Sequence, residues 1–200
     1  TLDVSGQSAA SDRALVQNIV EGVRTLAGQA ATLSFYAKRV SGAGDLAVEL
    51  VQTFNSSTPT VTGIGAAKFA LTTSWQRYAH NVLVPSVIGA TIGGGATYDA
   101  LGAVFWASAG STFNARTASL GVQTVKVALA QVKLEAGGAA SALGPLTKQD
   151  TAKRLARYYQ AKTVRTENGS RRIPLQSMRI APTVAAGVGT AANVTAEGFE

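Results

Sequence analysis

Hydrophobic and polar residues alternate at a period of two along much of the chain before residue 136, the repeat of strands with one face turned inward. Between Ala31 and Lys38, Leu33, Phe35 and Ala37 point one way and Thr32, Ser34, Tyr36 and Lys38 the other, which predicts a half-buried strand. Leu46, Val48 and Leu50 repeat the pattern against Ala47 and Glu49. Ser41-Gly42-Ala43-Gly44 separates the two runs, so the pair reads as a hairpin. Weaker alternation predicts a strand over 13–20, with Leu15, Gln17 and Ile19 on one face. Asn55 to Gly65, rich in Ser, Thr and Gly and containing Pro59, predicts a loop, after which Phe69 and Leu71 open the next strand. Trp75 to Val84 keeps strand register up to Pro85. Leu101 to Ser108 is almost wholly apolar, as expected of a central strand covered on both faces. Gly89, Gly93, Gly94 and Gly95 mark Ile88 to Tyr98 as a surface loop, and Gly110 to Gly121 reads as another.

Two departures from regular alternation add detail. Val125, Val127 and Leu129 hold one parity and Val132 and Leu134 the other, a shift of one residue that predicts a β-bulge near Ala130 or Gln131. From Gln149 to Ala161 the period changes: Ala152, Leu155, Ala156 and Tyr159 are spaced for one helical stripe, with Thr147 or Asp150 as candidate cap. Beyond it, Pro174 and Pro182 restrict Arg171 to Ile180 to an edge strand or extended arm, and Ala185 to Ala196 has little apolar bulk of its own.

The expected fold class is therefore all-β: a sandwich over 1–145, a connector helix over 146–162 and an extended or β C-terminal arm over 163–200. Composition agrees, since Ala, Gly, Thr, Ser and Val dominate while Met occurs once. Hydrophobic residues make up 46% and charged residues 14%, a lean surface for a solitary domain, which predicts burial against partners. The net charge of +7 is uneven: nine of the eighteen Lys and Arg residues lie between Lys148 and Arg179, against only Asp150 and Glu167.

The same residues narrow the chemistry. With no cysteine there is no disulfide framework, zinc knuckle or thiol nucleophile. The single histidine, His80, lies in a strand-like segment, which leaves a Ser-His-Asp arrangement little to work with. The eleven carboxylates are scattered singly, so no metal site or acid–base pair stands out and no enzyme is expected. Gly63-Ile64-Gly65 and Gly93-Gly94-Gly95 lack the lysine and the helix of a phosphate loop and read as turns. No apolar run approaches the roughly 18–20 residues that span a bilayer, so no membrane insertion is expected.

Six stretches, taken in order, carry a likeness: Val20–Gly28 (VEGVRTLAG), Leu33–Lys38 (LSFYAK), Leu71–Tyr78 (LTTSWQRY), Ser108–Thr117 (SAGSTFNART), Ala130–Gly137 (AQVKLEAG) and Arg157-Tyr158-Tyr159. Together they resemble a module frequent in tail-fibre and other minor structural proteins of phages and prophages, across most of residues 15 to 160. The resemblance implies a jelly-roll sandwich similar to carbohydrate-binding modules, with Arg157-Tyr158-Tyr159 in a connector behind it. In such proteins further strands usually precede the equivalent of Thr1. The resemblance also leaves room for a structural calcium ion held through backbone oxygens, though the sequence nominates no ligands; no other cofactor is expected.

For a glycan or partner, the expected contacts are Tyr98 beside the glycine-rich loop and Trp75, because pyranose C–H faces stack on aromatic rings, and Arg116 at the end of the loop over Ser111–Arg116. Trp106, inside the most apolar run, reads as core. The basic cluster around Arg154, Arg157, Tyr158 and Tyr159 reads first as a solvated helix face, next as an assembly interface with acidic surfaces of neighbouring proteins, and last as a site for anionic lipopolysaccharide or nucleic acid. Nucleic acid is not an expected partner, since aromatic interleaving is limited to two tyrosines. The expectation is a structural component of a tailed-phage virion, on an exterior fibre or tail. It would assemble with other virion proteins and with itself as a homotrimer, and extend to host cell-surface polysaccharide. A carbohydrate-binding module of a secreted glycoside-active protein is the alternative.

Overall fold

The computed structural model describes residues 1–93, 99–144, 147–156, 173–174 and 198–199. Eight strands occupy its first compact unit, Thr1–Leu143: β1 (Leu2–Val4), β2 (Arg13–Glu21), β3 (Ala30–Gly42), β4 (Asp45–Thr53), β5 (Val61–Ala70), β6 (Gln76–Leu83), β7 (Ala100–Ala109) and β8 (Val125–Ala136). They form two antiparallel sheets of four, ordered β1-β8-β3-β6 and β2-β7-β4-β5. The fold is an all-β sandwich, and this strand order is that of a jelly roll, in which eight strands fill two sheets through Greek-key crossings.

Period-two patterning chose the inward faces. Leu33 and Phe35 of β3, Leu46, Val48 and Leu50 of β4, and Leu101 and Phe105 of β7 are all buried in one cluster between the sheets. Phe35 lies at its centre, edge-on to Phe105 (centroids 5.2 Å apart) and to Phe69 (5.7 Å), a geometry that sets ring edges against ring faces.

Patterning did not choose strand partners, and here the expected hairpin is corrected. β3 pairs with β6 and β8, whereas β4 pairs with β5 and β7, so the Ser41–Gly44 turn carries the chain from one sheet to the other. The true hairpin is β4–β5. Its second strand begins at Val61, inside the expected Asn55–Gly65 loop. Gly63 and Gly65, at φ of 73° and 61°, break the regular pleat, and the β4–β5 register skips beside them. A strand built of Gly and Ala shows no hydrophobic alternation to read.

The expected loop at Gly110–Gly121 is also corrected. Ser111–Phe113 forms a single 3-10 turn that runs into a short helix, α1 (Asn114–Thr117), closed by Ala118 in the left-handed region at φ 50°. Phe113 and Leu120 make this detour worthwhile: both bury against Trp106 and Val104 on the outer face of the β2-β7-β4-β5 sheet, in a second apolar cluster. Every residue of β7 is consequently buried, as its apolar sequence predicts. β3 is more than half-buried, because Thr32 and Ser34 are covered as well; the Thr32 hydroxyl donates to the Gly137 carbonyl at 2.6 Å. The bulge expected in β8 falls at Gln131, with φ 50°. Ser34 faces Lys133 there, and two residues on Tyr36 faces Ala130.

The second unit, Gly144–Glu200, contains α2 (Lys148–Ala156) and an antiparallel pair, β9 (Ile173–Pro174) with β10 (Gly198–Phe199). Thr147 caps α2: its hydroxyl oxygen accepts the Asp150 N–H at 3.1 Å and its proton goes to the Asp150 carboxylate at 2.7 Å, satisfying one of the donors a helix start leaves open. Among the described residues no helix is long and apolar enough to cross a membrane.

Candidate functional site

On the outer face of the β2-β7-β4-β5 sheet, β4 carries Glu49 at 1% exposure, a carboxylate in the middle of an apolar cluster. Such a group survives only if donors surround it. Arg116 of α1 reaches it through Nε (3.0 and 3.2 Å) and a terminal nitrogen (2.6 Å), Trp106 Nε1 donates at 3.1 Å, and the Gly63 N–H donates at 2.5 Å. The guanidinium also lies 5.0 Å from the centre of the Trp106 ring. The left-handed Gly63 aims its N–H at the carboxylate, and α1 brings Arg116 over it. Arg116, expected at a glycan, thus spends its donors inside the protein, with 30% of its side chain left exposed.

Trp75 stands at the turn into β6 and is 46% exposed, with the Lys38 ammonium 5.2 Å from its ring centre. It flanks one sheet, while Arg116 lies on the outer face of the other, so the two do not share a site. Tyr98, Arg157, Tyr158 and Tyr159 lie outside the described residues, as does the Arg154 side chain.

A site the sequence did not announce lies on the outer face of the β1-β8-β3-β6 sheet. A cavity of about 170 Å3 opens there between Ser34 and Tyr36 of β3, Arg77 of β6, Gln131 at the β8 bulge, and Ala142 and Leu143. The strap 137–143 forms its wall. Glu135 fixes that strap by accepting the Ser141 N–H (2.8 Å) and hydroxyl (2.6 Å), while Arg77 donates to the Ser141 carbonyl at 2.5 Å. Lys133 donates to the Ser141 hydroxyl and pairs with Glu135 at 3.0 Å. The Ser141 hydroxyl, the Lys133 ammonium and the Ser141 amide together hold the Glu135 carboxyl at about 2, well below its ordinary 4.5. The Tyr36 hydroxyl and the Gln131 side-chain amide line the cavity and make no hydrogen bond to a described residue. The β8 bulge was legible in the sequence but gave no sign of a cavity, and the strap that walls it was not legible, since it is irregular chain.

Among the described residues no three His, Asp or Glu side chains gather as metal ligands would. His80 Nε2 lies 2.7 Å from the Gly65 carbonyl and is occupied in holding β6 to β5. No protein-family model, curated protein or solved structure matches the chain.

Proposed function

We propose that the protein is a non-catalytic structural module of a tailed-phage particle, carried on an exterior fibre or tail. The observation that carries this reading is the linked set of stretches from Val20 to Tyr159, which resemble phage fibre and minor structural proteins in order and spacing. The five that fall wholly among described residues all sit on the sandwich. They cover the end of β2 and its turn, β3, the approach to β6, the end of β7 with α1, and the end of β8. An eight-stranded sandwich whose buried Glu49 carboxylate is fully engaged in packing supports a scaffold rather than a reaction centre. Immunogold electron microscopy of purified phage particles encoding the chain tests it. Label on tail or fibre is the expected result, and particles without label would overturn it.

The cavity at Tyr36 favours a second, compatible role in attachment to host polysaccharide. A phenol ring whose hydroxyl, like the neighbouring amide, makes no hydrogen bond to a described residue, set beside a guanidinium, is the chemistry that holds a sugar. At about 170 Å3 it is smaller than the roughly 300–1,000 Å3 of sites enclosing larger ligands. A single residue of a chain is what it accommodates. The expected result is glycan-array binding that Tyr36→Ala abolishes and Trp75→Ala leaves in place. A module of a secreted glycoside-active protein would use the same cavity, and is distinguished by a catalytic domain in the same gene.

A further inference from the structure

The four sheet edges of the sandwich are protected unequally. On one side β5 and β6 close the gap themselves: His80 meets the Gly65 carbonyl at 2.7 Å, the Tyr78 hydroxyl donates to the Ala70 carbonyl at 2.9 Å, and Val82 packs where Gly65 has no side chain. β5 is further broken by two left-handed glycines. On the other side β1 has only three residues, whereas β2 runs for nine, with β7 on one flank and no described strand on the other. The register skip between β2 and β7 leaves Ala107 as the extra residue, so β2 itself is unbulged. It holds no proline, glycine or lysine, and its inner charges are nil: Arg13-Ala-Leu-Val-Gln-Asn-Ile-Val-Glu21. Val16 is 42% and Ile19 63% exposed. A long, regular, apolar edge of this kind is a template for another strand.

The sequence of β2 says which strand. Its charges are one cation at the first position and one anion at the ninth, with Gln17 midway. Two copies laid antiparallel about Gln17 oppose Arg13 to Glu21 at both ends, Ala14 to Val20, and Leu15 to Ile19. Odd residues meet odd and even meet even, so each side chain keeps its own face of the sheet. Ile19 of one copy then lies beside Leu15 of the other, at the margin of the apolar cluster around Trp106. A shift of two residues either way loses both ion pairs. Arg13 is exposed, its guanidinium 5.3 Å from the centre of the Phe113 ring. Glu21 has interactions in its own chain, and a carboxylate has acceptor sites enough for a further partner.

We propose that β2 is a self-recognition edge: two copies of this chain pair antiparallel through Arg13–Glu21 about a two-fold axis at Gln17, joining β2-β7-β4-β5 sheets into one continuous sheet. The contact is isologous and independent of the phage reading, and it differs from the three-fold arrangement expected from the sequence.

Light scattering coupled to size exclusion, on the full chain over a range of concentrations, tests it. Arg13→Glu or Glu21→Arg alone sets like charges opposite each other at both ends, and each is expected to halve the mass of the assembly and weaken it at least about tenfold. The double variant, with the charges exchanged, is expected to restore both. Ile19→Lys, at a site the single copy already exposes, is expected to halve the mass too, with thermal melts showing that each variant folds. A wild-type monomer at every concentration, a mass that the single swaps leave unchanged, or a double swap that fails to restore it would each overturn the proposal.

Discussion

Glu49 and Arg116 are the residues on which the outer apolar cluster turns. Removing one member of a buried, hydrogen-bonded ion pair strands the other, at a cost on the order of 3–5 kcal/mol, less where water can reach it. Arg116 keeps 30% exposure and Glu49 none, so the two sides of the pair are not equivalent. Arg116→Ala admits water to the carboxylate while Trp106 and Gly63 still donate to it, and a loss of about 2–3 kcal/mol is expected. Glu49→Gln keeps the shape but turns one acceptor into a donor among three donors, and is expected to cost at least as much. Urea unfolding of both single variants and the double measures this, with the double well short of the sum because the pair is shared. Glu135 gives a second residue-scale expectation, in pH. Its folded value of about 2 lies below the ordinary 4.5, so the ionised form is the one that holds the strap. The contribution is complete above about pH 4.5 and is lost as pH falls toward 2. The Ser141 amide, which donates to Glu135, should therefore lose hydrogen-exchange protection across that window, after correction for the intrinsic exchange rate. Glu135→Gln should already show the low-protection value at pH 6.

Between elements, what matters is how the chain leaves one sheet for the other. At Gly42, φ is 77° and an added Cβ would stand 2.4 Å from the Thr124 carbonyl oxygen, a backbone atom that cannot swing aside. Gly42→Ala is expected to be among the most damaging single substitutions, several kcal/mol, lowering the melting temperature by ten degrees or more. Gln131→Gly, at the φ 50° bulge of β8, should be neutral or mildly stabilising to the fold, since glycine adopts that conformation without strain, while removing an amide from the Tyr36 cavity. Calorimetry of the two variants separates a turn that needs its glycine from a bulge that only tolerates its glutamine. These positions also mark what the sequence discloses at this scale. The β8 bulge was legible because a one-residue insertion flips the parity of Val132 and Leu134 against Val125 and Val127. The β3-to-β4 crossing was not, because Ser41-Gly42-Ala43-Gly44 has the same residues whether the next strand returns to the same sheet or enters the opposite one. α1 went unseen because four residues are too few to show a helical period. The Tyr36 cavity needs β3, β6, β8 and an irregular strap at once, and Arg77 is 41 residues from Tyr36 in the chain, so no local pattern points to it.

For the molecule as a whole, core and charge are divided along the chain. Residues 1–143 hold all eight sandwich strands and both apolar clusters, with nine Lys and Arg against seven Asp and Glu, a net of +2. Residues 144–200 hold nine against four, a net of +5 over 57 residues. The sandwich therefore has the buried surface to fold, and the following segment has the charge. A fragment ending at Leu143 keeps the strap, with Ser141 on Glu135 and Ala142 and Leu143 walling the cavity, and cuts no described strand pairing of the sandwich. It is expected to unfold in a single cooperative transition, with calorimetric and van't Hoff enthalpies equal. Retention on a cation-exchange resin should fall sharply relative to the full chain, because an evenly balanced surface is screened at ordinary salt and a dense basic segment is not. The fragment keeps β2 and with it the self-contact, so its mass is expected to remain sensitive to Arg13→Glu. A folded fragment that is monomeric at every concentration would count against the β2 pairing, since it retains the whole of that strand. A single truncation after Leu143 thus places the core, the charge and the self-contact on the same or on different parts of the chain.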